Sequence, residues 1–559
     1  MKTERYDEFF ERLNRARAHG AFEDLLGSSL CRAHHALPQD PLVREMLEYR
    51  IRKVEHALQT GQLAPFLKAR LPEGQLILGQ DVHGGAIRIL LDWLCSGLLT
   101  VANTGGGKSN LVTWIVTQIA WLACSVWLFE PYKLQTRLLL PIYQRAGKPL
   151  VILPWRNWRW NLLQCQGGSP VQHIATVVDL LVRSLNLPDR AAAILRHGIH
   201  ELYQQFSVLS GTEDRYPTLF HLYEWVRARK DLNAASKDAI IDRLGAFLLA
   251  LTPACAAWTR AWNYTGLMRY SIVFEMRGAS EAVHNLLPSS LLFGVFQARI
   301  AKGLVNCPLE LLLVFEDAQR LFNENVGTSG NIAPLDELAG IVRGAGLGLW
   351  AICQSTVGFS RRLRPNLALK IFGRLGCHED YATLAADCAL KTEQIEHIRL
   401  NLVPGTFVGQ MSIGTWTHPF LFRVPLAKLP APPTDDDVRE SQRPLEALPT
   451  EFAEEFAHWT PHPVVEVTTK QDKPKPALSE SDLRVLEAIV KEPGKSITHY
   501  CRKTRLNGTR MAEIRQRMVA GGFIREHSLA AKARGRTATV IEPLASAQQA
   551  VRDHQEKHT

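Results

Sequence analysis

A run of three glycines followed by lysine and serine offers the clearest chemistry in this sequence. It lies within Ala102-Asn-Thr-Gly-Gly-Gly-Lys-Ser109, after an apolar segment and before a long apolar helical pattern. Glycines allow main-chain N–H groups to approach phosphate oxygens, lysine can reach the β- and γ-phosphates, and the serine hydroxyl can bind Mg²⁺. A helix that begins near the lysine would point its N-terminal N–H groups at the same phosphates. Although alanine stands where the first glycine is usual, we predict a phosphate-binding loop made of Asn103, Thr104, Gly105, Gly106, Gly107, Lys108, Ser109 and Asn110.

Two adjacent carboxylates follow a later apolar run, Leu309 to Phe315. Phosphoryl transfer needs one carboxylate near Mg²⁺ and one that positions or activates water. The carboxyl ends of strands in an open α/β sheet face the ligand crevice. We therefore predict that Glu316, with Ser109, binds the metal and that Asp317 acts on the attacking water; the reverse assignment is also open.

A glutamine and two arginines are further candidates for the same site. Gln354 ends another apolar run and can sense a γ-phosphate by hydrogen bonding, or it can simply cap a strand. Arg343, in a glycine-rich stretch, can reach a neighbouring subunit's γ-phosphate, and Arg374 is the rival for that role. A plain surface position is the alternative for either arginine.

The C-terminal region carries a dense positive charge. Between Arg502 and Arg536 the sequence has ten Lys or Arg and two acids. Capping residues, short helical patterns and a glycine-led strand predict a winged helix-turn-helix over 478–545. The predicted DNA-binding residues are Arg502, Lys503, Arg505, Arg510, Arg515, Arg517, Arg534 and Arg536. Such modules also bind proteins, so docking of another protein is the alternative.

Composition limits the class of protein. The chain has 559 residues, 46% of them hydrophobic, and a net charge of +10, which favours a polyanionic partner. Ten scattered cysteines without a C-x-x-C pair argue against a zinc ribbon or a disulfide framework and favour a cytoplasmic location. The charged N-terminus predicts no signal peptide. The uncharged stretch 111–129 is long enough to span a bilayer, but we interpret it as a helix and a strand and predict no membrane insertion.

Buried strand patterns define the predicted architecture. Apolar runs alternate with helical patterns, as in an α/β protein with a mostly parallel sheet. These runs are 125–129, 150–153, 271–274, 309–315 and 348–352. The predicted organisation is a helical region at 1–75, an α/β core with the phosphate-binding loop at 76–425 and a helical insertion at about 165–265, a proline-rich linker at 426–477, the winged helix at 478–545 and a tail at 546–559. The cluster Trp155-Arg-Asn-Trp-Arg-Trp160 favours loop packing over base stacking.

Taken together, these motifs resemble the HerA/FtsK superfamily of P-loop ATPases. The resemblance covers about 76–425 and includes Leu78-Gly79, Glu130-Pro131, Asn161-Leu-Leu and Phe315-Glu-Asp-Ala-Gln319. It implies a RecA-like core that binds ATP and Mg²⁺ between the subunits of a ring, a hexamer in this superfamily. Arg343 matches the trans-acting arginine and Gln354 the sensor glutamine. The order Glu-Asp in place of Asp-Glu, and Glu130 in place of Asp, depart from the usual pattern.

The resemblance leads to a functional hypothesis. The chain would be an ATP-driven DNA translocase that moves along duplex DNA. The sequence shows no nuclease motif, so if the DNA is cut, a partner nuclease or effector would do it. A soluble motor for conjugative transfer is a second reading. An ATP-gated DNA-binding switch that regulates transcription is a third, non-motor reading.

Overall fold

The computed structural model describes the chain in two compact units, 1–461 and 462–559. The described residues are 2–60, 63–71, 73–81, 84–211, 214–323, 342–461, 478–520, 523–530 and 537–556. Arg534 and Arg536 lie outside them. Within the described residues, no helix combines the length and apolar character needed to cross a bilayer.

The N-terminal region is helical, as predicted. It contains α1 (Lys2–Ala18), α2 (Leu25–Ala36) and α3 (Pro41–Gln59). Asp24 and Asp40 accept main-chain N–H groups at the starts of α2 and α3, which satisfies donors that a helix leaves unpaired. These helices bury a small apolar core that includes Phe9, Leu13 and Leu47.

An eleven-stranded sheet forms the centre of the first unit, in the order β2-β1-β12-β11-β10-β3-β9-β8-β4-β7-β5. The seven strands from β10 to β5 are mutually parallel, and the other four extend the sheet by antiparallel pairing. The strands of this sheet are β1 (Leu76–Gln80), β2 (Ala86–Ile89), β3 (Leu98–Val101), β4 (Ser125–Glu130), β5 (Leu150–Pro154), β7 (Ser271–Glu275), β8 (Leu311–Glu316), β9 (Leu347–Cys353), β10 (Leu369–Phe372), β11 (Thr406–Met411) and β12 (Phe420–Arg423). The two short strands β6 (Trp258–Arg260) and β13 (Glu451–Phe452) pair with each other in a separate sheet. The parallel strands are covered on both faces, which explains why their sequences are mostly apolar.

Helices flank the sheet and form the predicted insertion. They are α4 (Lys108–Ile119), α5 (Leu140–Arg145), α6 (Pro170–Ser184), α7 (Asp189–Gln205), α8 (Leu219–Ala228), α9 (Ala234–Leu251), α10 (Pro253–Ala256), α11 (Tyr264–Leu267), α12 (Glu281–Ala301), α13 (His378–Cys388), α14 (Thr392–Asn401) and α15 (Asp435–Glu446). The stretch 111–129 is divided between α4 and β4, as expected. Trp155, Trp158 and Trp160 are all buried, so this cluster packs inside the unit and is not a surface for base stacking.

The proline-rich segment after β12 differs from the prediction. Residues 426–461 belong to the first unit, and α15 covers β5, where the Ser441 hydroxyl accepts the Ile152 N–H at 3.1 Å. Val438 and Leu445 are the buried residues of α15. The proline content suggested a linker, but two apolar residues seven apart on one helix face are enough to dock it. The remaining predicted linker, 462–477, lies outside the described residues.

The second unit has the order helix, strand, helix, helix, strand, strand, helix. Its elements are α16 (Glu480–Lys491), β14 (Lys495–Ser496), α17 (Ile497–Thr504), α18 (Gly508–Ala520), β15 (Ile524–Ala530), β16 (Thr537–Pro543) and α19 (Ala545–Glu556). The strands form one antiparallel sheet in the order β14-β16-β15. Residues 546–556, which fall in the expected tail, supply most of α19, and its Ala547 and Val551 join the apolar core.

A buried histidine in the insertion predicts acid sensitivity of the first unit. Nε2 of His173 lies 3.1 Å from the Leu162 carbonyl oxygen, and burial lowers the pKa of His173 to about 4. Since an unfolded histidine titrates near 6.5, the neutral form stabilises the fold, and stability is lost as pH falls from about 6.5 towards about 4. The full loss is about 3 kcal/mol.

We expect the thermal midpoints of the wild type and of His173→Gln, measured from pH 7 to pH 4, to converge as the pH falls. The exposed His35→Gln should follow the wild type throughout. A difference in thermal midpoint between the wild type and His173→Gln that stays constant from pH 7 to pH 4 would contradict the prediction.

Candidate nucleotide-binding site

The predicted phosphate-binding loop joins β3 to α4, with Lys108 as the first residue of the helix. Gly105 and Gly107 have φ angles of 80° and 99°, a region that L side chains rarely adopt. A Cβ atom on Gly107 would also lie 2.9 Å from the Gly405 nitrogen. The local backbone therefore needs glycine at these positions, independently of any ligand.

Alanine at the usual first glycine position is accommodated by a glycine behind it. Ala102 is fully buried, and a Cβ added to Gly373 would lie 2.6 Å from the Ala102 Cβ. The next residue is also anchored, because the Asn103 N–H donates to the Arg374 carbonyl at 2.7 Å. The methyl group of Ala102 is thus accommodated because Gly373, just after β10, has no side chain.

Lys108 folds back over its own loop. Its Nζ donates to the Asn103 carbonyl at 3.0 Å and also to the carbonyl of Ala102. Burial lowers the pKa of Lys108, and the neighbouring Lys133 adds to that effect, whereas Asp317 and Glu316 oppose it. The ammonium group is therefore held at the loop by main-chain carbonyls.

The two carboxylates and the glutamine meet the loop at one edge of the sheet. The Gln354 Nε2 donates to Asp317 Oδ1 at 3.4 Å, and the Thr104 hydroxyl donates to Gln354 Oε1 at 3.3 Å. This contact is possible because β9 lies between β3 and β8, a strand order that the sequence does not state. Glu316 lines the same cleft, which has a volume of about 460 Å³. Burial raises the pKa of Glu316, Lys133 opposes this rise, and Asp317 adds to it.

The two candidate arginines lie at opposite edges of the sheet. Arg343 belongs to the turn Val342–Ala345, just before β9, whereas Gln354 follows β9. A strand of seven residues separates these edges by about 20 Å, so Arg343 is remote from its own phosphate loop. Arg374 is exposed and lies two residues after the end of β10, beside that loop. The placement is compatible with a trans role for Arg343, which stays a prediction.

Comparisons with known proteins identify the fold. No protein-family model and no curated protein matches the sequence. Among solved structures, VirB4 of Thermoanaerobacter pseudethanolicus is similar, with a TM-score of 0.51, 18% identity, and coverage of 64% of this chain and 98% of VirB4. The chain shares its fold with VirB4. The plasmid coupling protein TrwB in complex with ADP and Mg²⁺ also matches, with a TM-score of 0.44, 15% identity, and coverage of 65% of this chain and 95% of TrwB.

The similarity to VirB4 confirms the predicted α/β class with a mostly parallel sheet, a P-loop core and a helical N-terminal region. The similarity concerns the fold alone. Within this VirB4-like fold, the predicted roles of the site residues depend on the geometry described above and on the experiments proposed below.

Sequence reasoning missed Lys133 as a site residue. Its Nζ donates to the Ser109 hydroxyl at 2.8 Å, and it lines the cleft with Tyr132 and Gln135. Lys133 follows β4, which is the sheet neighbour of β8, so it reaches the same edge as Glu316. The sequence shows that the charged residues Glu130 and Lys133 follow a buried apolar run. It does not show that this strand lies beside β8 in the sheet.

A third carboxylate, Glu130, lies behind the cleft. It is 1% exposed, and the Thr136 hydroxyl donates to its Oε2. Burial raises the pKa of Glu130 to about 8; the hydrogen bond from Thr136 opposes the rise, and Glu316 and Glu275 add to it. At neutral pH this carboxyl group is therefore mostly protonated. It fills the space beside Glu316 without adding a full negative charge.

Buried Asp380, at the start of α13, holds the segment that follows Gln354. Its Oδ1 accepts the Thr356 N–H at 2.7 Å, the Thr356 hydroxyl at 2.6 Å and the Ser355 hydroxyl at 3.0 Å. Asp380 is 1% exposed. Because Asp380 Oδ1 satisfies three donors in the two residues after Gln354, the position of Gln354 depends on Asp380.

We expect Asp380→Ala to lower the free energy of unfolding of the first unit by about 2–4 kcal/mol, since buried donors lose their acceptor. Equilibrium unfolding in urea measures this change. Glu379→Ala, at the exposed neighbouring position on the same helix, should change it by less than about 0.5 kcal/mol. Equal stabilities for the two variants would contradict the assigned role of Asp380.

The predicted DNA-binding residues of the second unit are partly paired. Arg510 Nη1 lies 3.0 Å from Glu513, and Lys503 pairs with Glu492. Arg517 Nη2 donates to Asp482 Oδ1 at 2.7 Å, a contact that joins α18 to the start of α16. Arg502 and Arg505 are exposed, and Arg515 is half-buried. The positive surface is therefore weaker than the sequence count suggests, and Arg517 has a structural contact within the unit.

Proposed function

We propose that the chain is an ATP-driven motor of the HerA/FtsK type that hydrolyses ATP and moves along DNA. The observation that carries the proposal is the convergence of the phosphate loop, Glu316, Asp317 and Gln354 in one cleft at the carboxyl edge of the sheet. A P-loop facing strand-end carboxylates is the arrangement that phosphoryl transfer requires.

The donor set fits Mg²⁺. Ser109 offers a hydroxyl oxygen and Glu316 a carboxylate, the hard oxygen ligands that this ion prefers. Both residues line the same cleft. Bound Mg²⁺ would neutralise phosphate charge during transfer.

The protein's own groups supply the remaining chemistry. The amides of residues 103–109 and the Lys108 ammonium bind the phosphates, and Asp317 orients and activates the attacking water. Gln354, hydrogen-bonded to both Asp317 and Thr104, transmits the presence of a γ-phosphate to the carboxylate. Arg343 acts on the nucleotide of a neighbouring copy, which we propose to be the next member of a hexameric ring.

We further propose that DNA is the substrate and that the second unit, as a winged helix-turn-helix, loads it. The net charge of +10 and the exposed Arg502 and Arg505 support this. A nuclease or effector would act on the DNA that the motor delivers.

The ATPase rate of the full-length protein with and without long duplex DNA of mixed sequence tests the proposal. We expect stimulation by at least about tenfold, which salt suppresses because phosphate contacts release counterions. Slow turnover that DNA leaves unchanged, with tight binding to one sequence, would favour the ATP-gated switch. That alternative is supported by the basic helix in a separate unit.

A further inference from the structure

Lys133 places a second ammonium group on the hydroxyl that would bind the metal. Its Nζ lies 2.8 Å from Ser109 Oγ, while Lys108, the expected phosphate ligand, is directed to the carbonyls of its own loop. The side chain of Lys133 is exposed, so it can change position without disturbing the core. The Ser109 hydroxyl is therefore both the hydrogen-bond acceptor of Lys133 and the proposed ligand of the metal ion.

The surroundings explain why a cation lies there. Glu316 and Asp317 line the cleft with Lys133, and Lys133 opposes the rise in the pKa of Glu316. Lys133 thus compensates part of the negative charge of the carboxylates, which is also the electrostatic task of a divalent ion at this place.

The two cations cannot both occupy this position. A metal ion lies about 2.1 Å from its oxygen ligand, so Mg²⁺ on Ser109 Oγ would be no more than about 5 Å from an ammonium group that keeps its present hydrogen bond. Two positive charges at that separation in a partly buried cleft repel each other strongly. Binding of the metal therefore requires Lys133 to leave the hydroxyl, and the cleft carboxylates or the phosphates of a bound nucleotide would accept its ammonium group.

We propose that Lys133 competes with Mg²⁺ for the Ser109 hydroxyl and sets the Mg²⁺ concentration at which the site takes up its nucleotide. The inference rests on the proposed nucleotide site but does not require that the protein moves DNA. Lys133 is a positioning residue here: it acts on the metal and the phosphates, not on the attacking water.

Binding of a fluorescent ADP to the full-length protein, titrated with MgCl₂, tests the proposal without any turnover. We expect Lys133→Met to lower the Mg²⁺ concentration at half-maximal binding by about tenfold, because the competitor is gone. Lys133→Arg, which keeps a cation, should stay near the wild type. Lys53→Met, which removes an equal charge from an exposed position on α3, controls for net charge.

A Ser109→Ala background separates competition from a general charge effect. There Lys133→Met should produce no further shift, since the contested hydroxyl is absent. An equal shift with and without Ser109, or no shift in the wild-type background, overturns the inference even when the wild type binds ADP normally. Failure of the wild type to bind ADP at any Mg²⁺ concentration overturns the proposed nucleotide site and the inference together.

Discussion

Replacing Lys108 with alanine is expected to reduce ATP turnover by about 10²–10³-fold and to weaken nucleotide binding. Lys108 begins α4 and is held at the phosphate loop by two main-chain carbonyls. In the absence of its ammonium group, the charge that develops on the γ-phosphate loses one of the protein cations that line the cleft. Steady-state phosphate release and equilibrium binding of a fluorescent nucleotide measure the two effects.

The control for this experiment is Lys53→Ala, which removes the same charge from an exposed position on α3. Its turnover should match that of the wild type. DNA-dependent hydrolysis at the wild-type rate in Lys108→Ala would refute the assignment of the phosphate loop. Circular dichroism of the variant separates a chemical defect from a loss of fold.

Complementation between two inactive variants is the second large effect that we expect. Arg343→Ala should lower turnover by about 10³–10⁵-fold if the arginine acts as a finger. Mixed rings of Arg343→Ala and Lys108→Ala subunits, co-expressed in equal amounts, should recover activity to about a quarter of the wild-type rate. One interface in four then joins an intact lysine to an intact arginine from the next subunit, as expected for head-to-tail contacts.

Arg374→Ala identifies which arginine is used. Because Arg374 lies beside the phosphate loop of its own chain, a variant at this position should not be rescued by a neighbour that carries an intact Arg374. Complementation by Arg374→Ala instead of Arg343→Ala would reverse the assignment. Absence of recovery in every mixture would contradict a site shared between subunits.

The sequence predicted most of the parallel strands, because strands buried on both faces leave nearly continuous apolar runs. It did not predict β10, whose sequence contains Lys370. The sequence also located the glycine-rich turn between β3 and α4, where the backbone itself requires glycine at 105 and 107. It could not reveal the strand order, which brings Gln354 between Thr104 and Asp317 and brings Lys133 next to Ser109. These contacts join residues that are 24 to 250 positions apart, a separation at which local patterns carry no information.

The proline-rich segment shows a different limit. Composition describes the average tendency of a stretch, whereas docking of α15 depends on Val438, Leu445 and one serine hydroxyl. Similarly, the number of basic residues in the second unit predicted a strong positive surface, but the acids that pair with Lys503, Arg510 and Arg517 become evident only from the fold.

The cover that α15 provides for β5 has a practical consequence. Strand β5 is the last in the sheet, and the Ser441 hydroxyl accepts one of its outward N–H groups. An uncovered edge strand can pair with a strand of another chain. The prolines suggest a domain boundary near residue 430. We expect cleavage of the chain there to remove α15 from β5 and to promote aggregation.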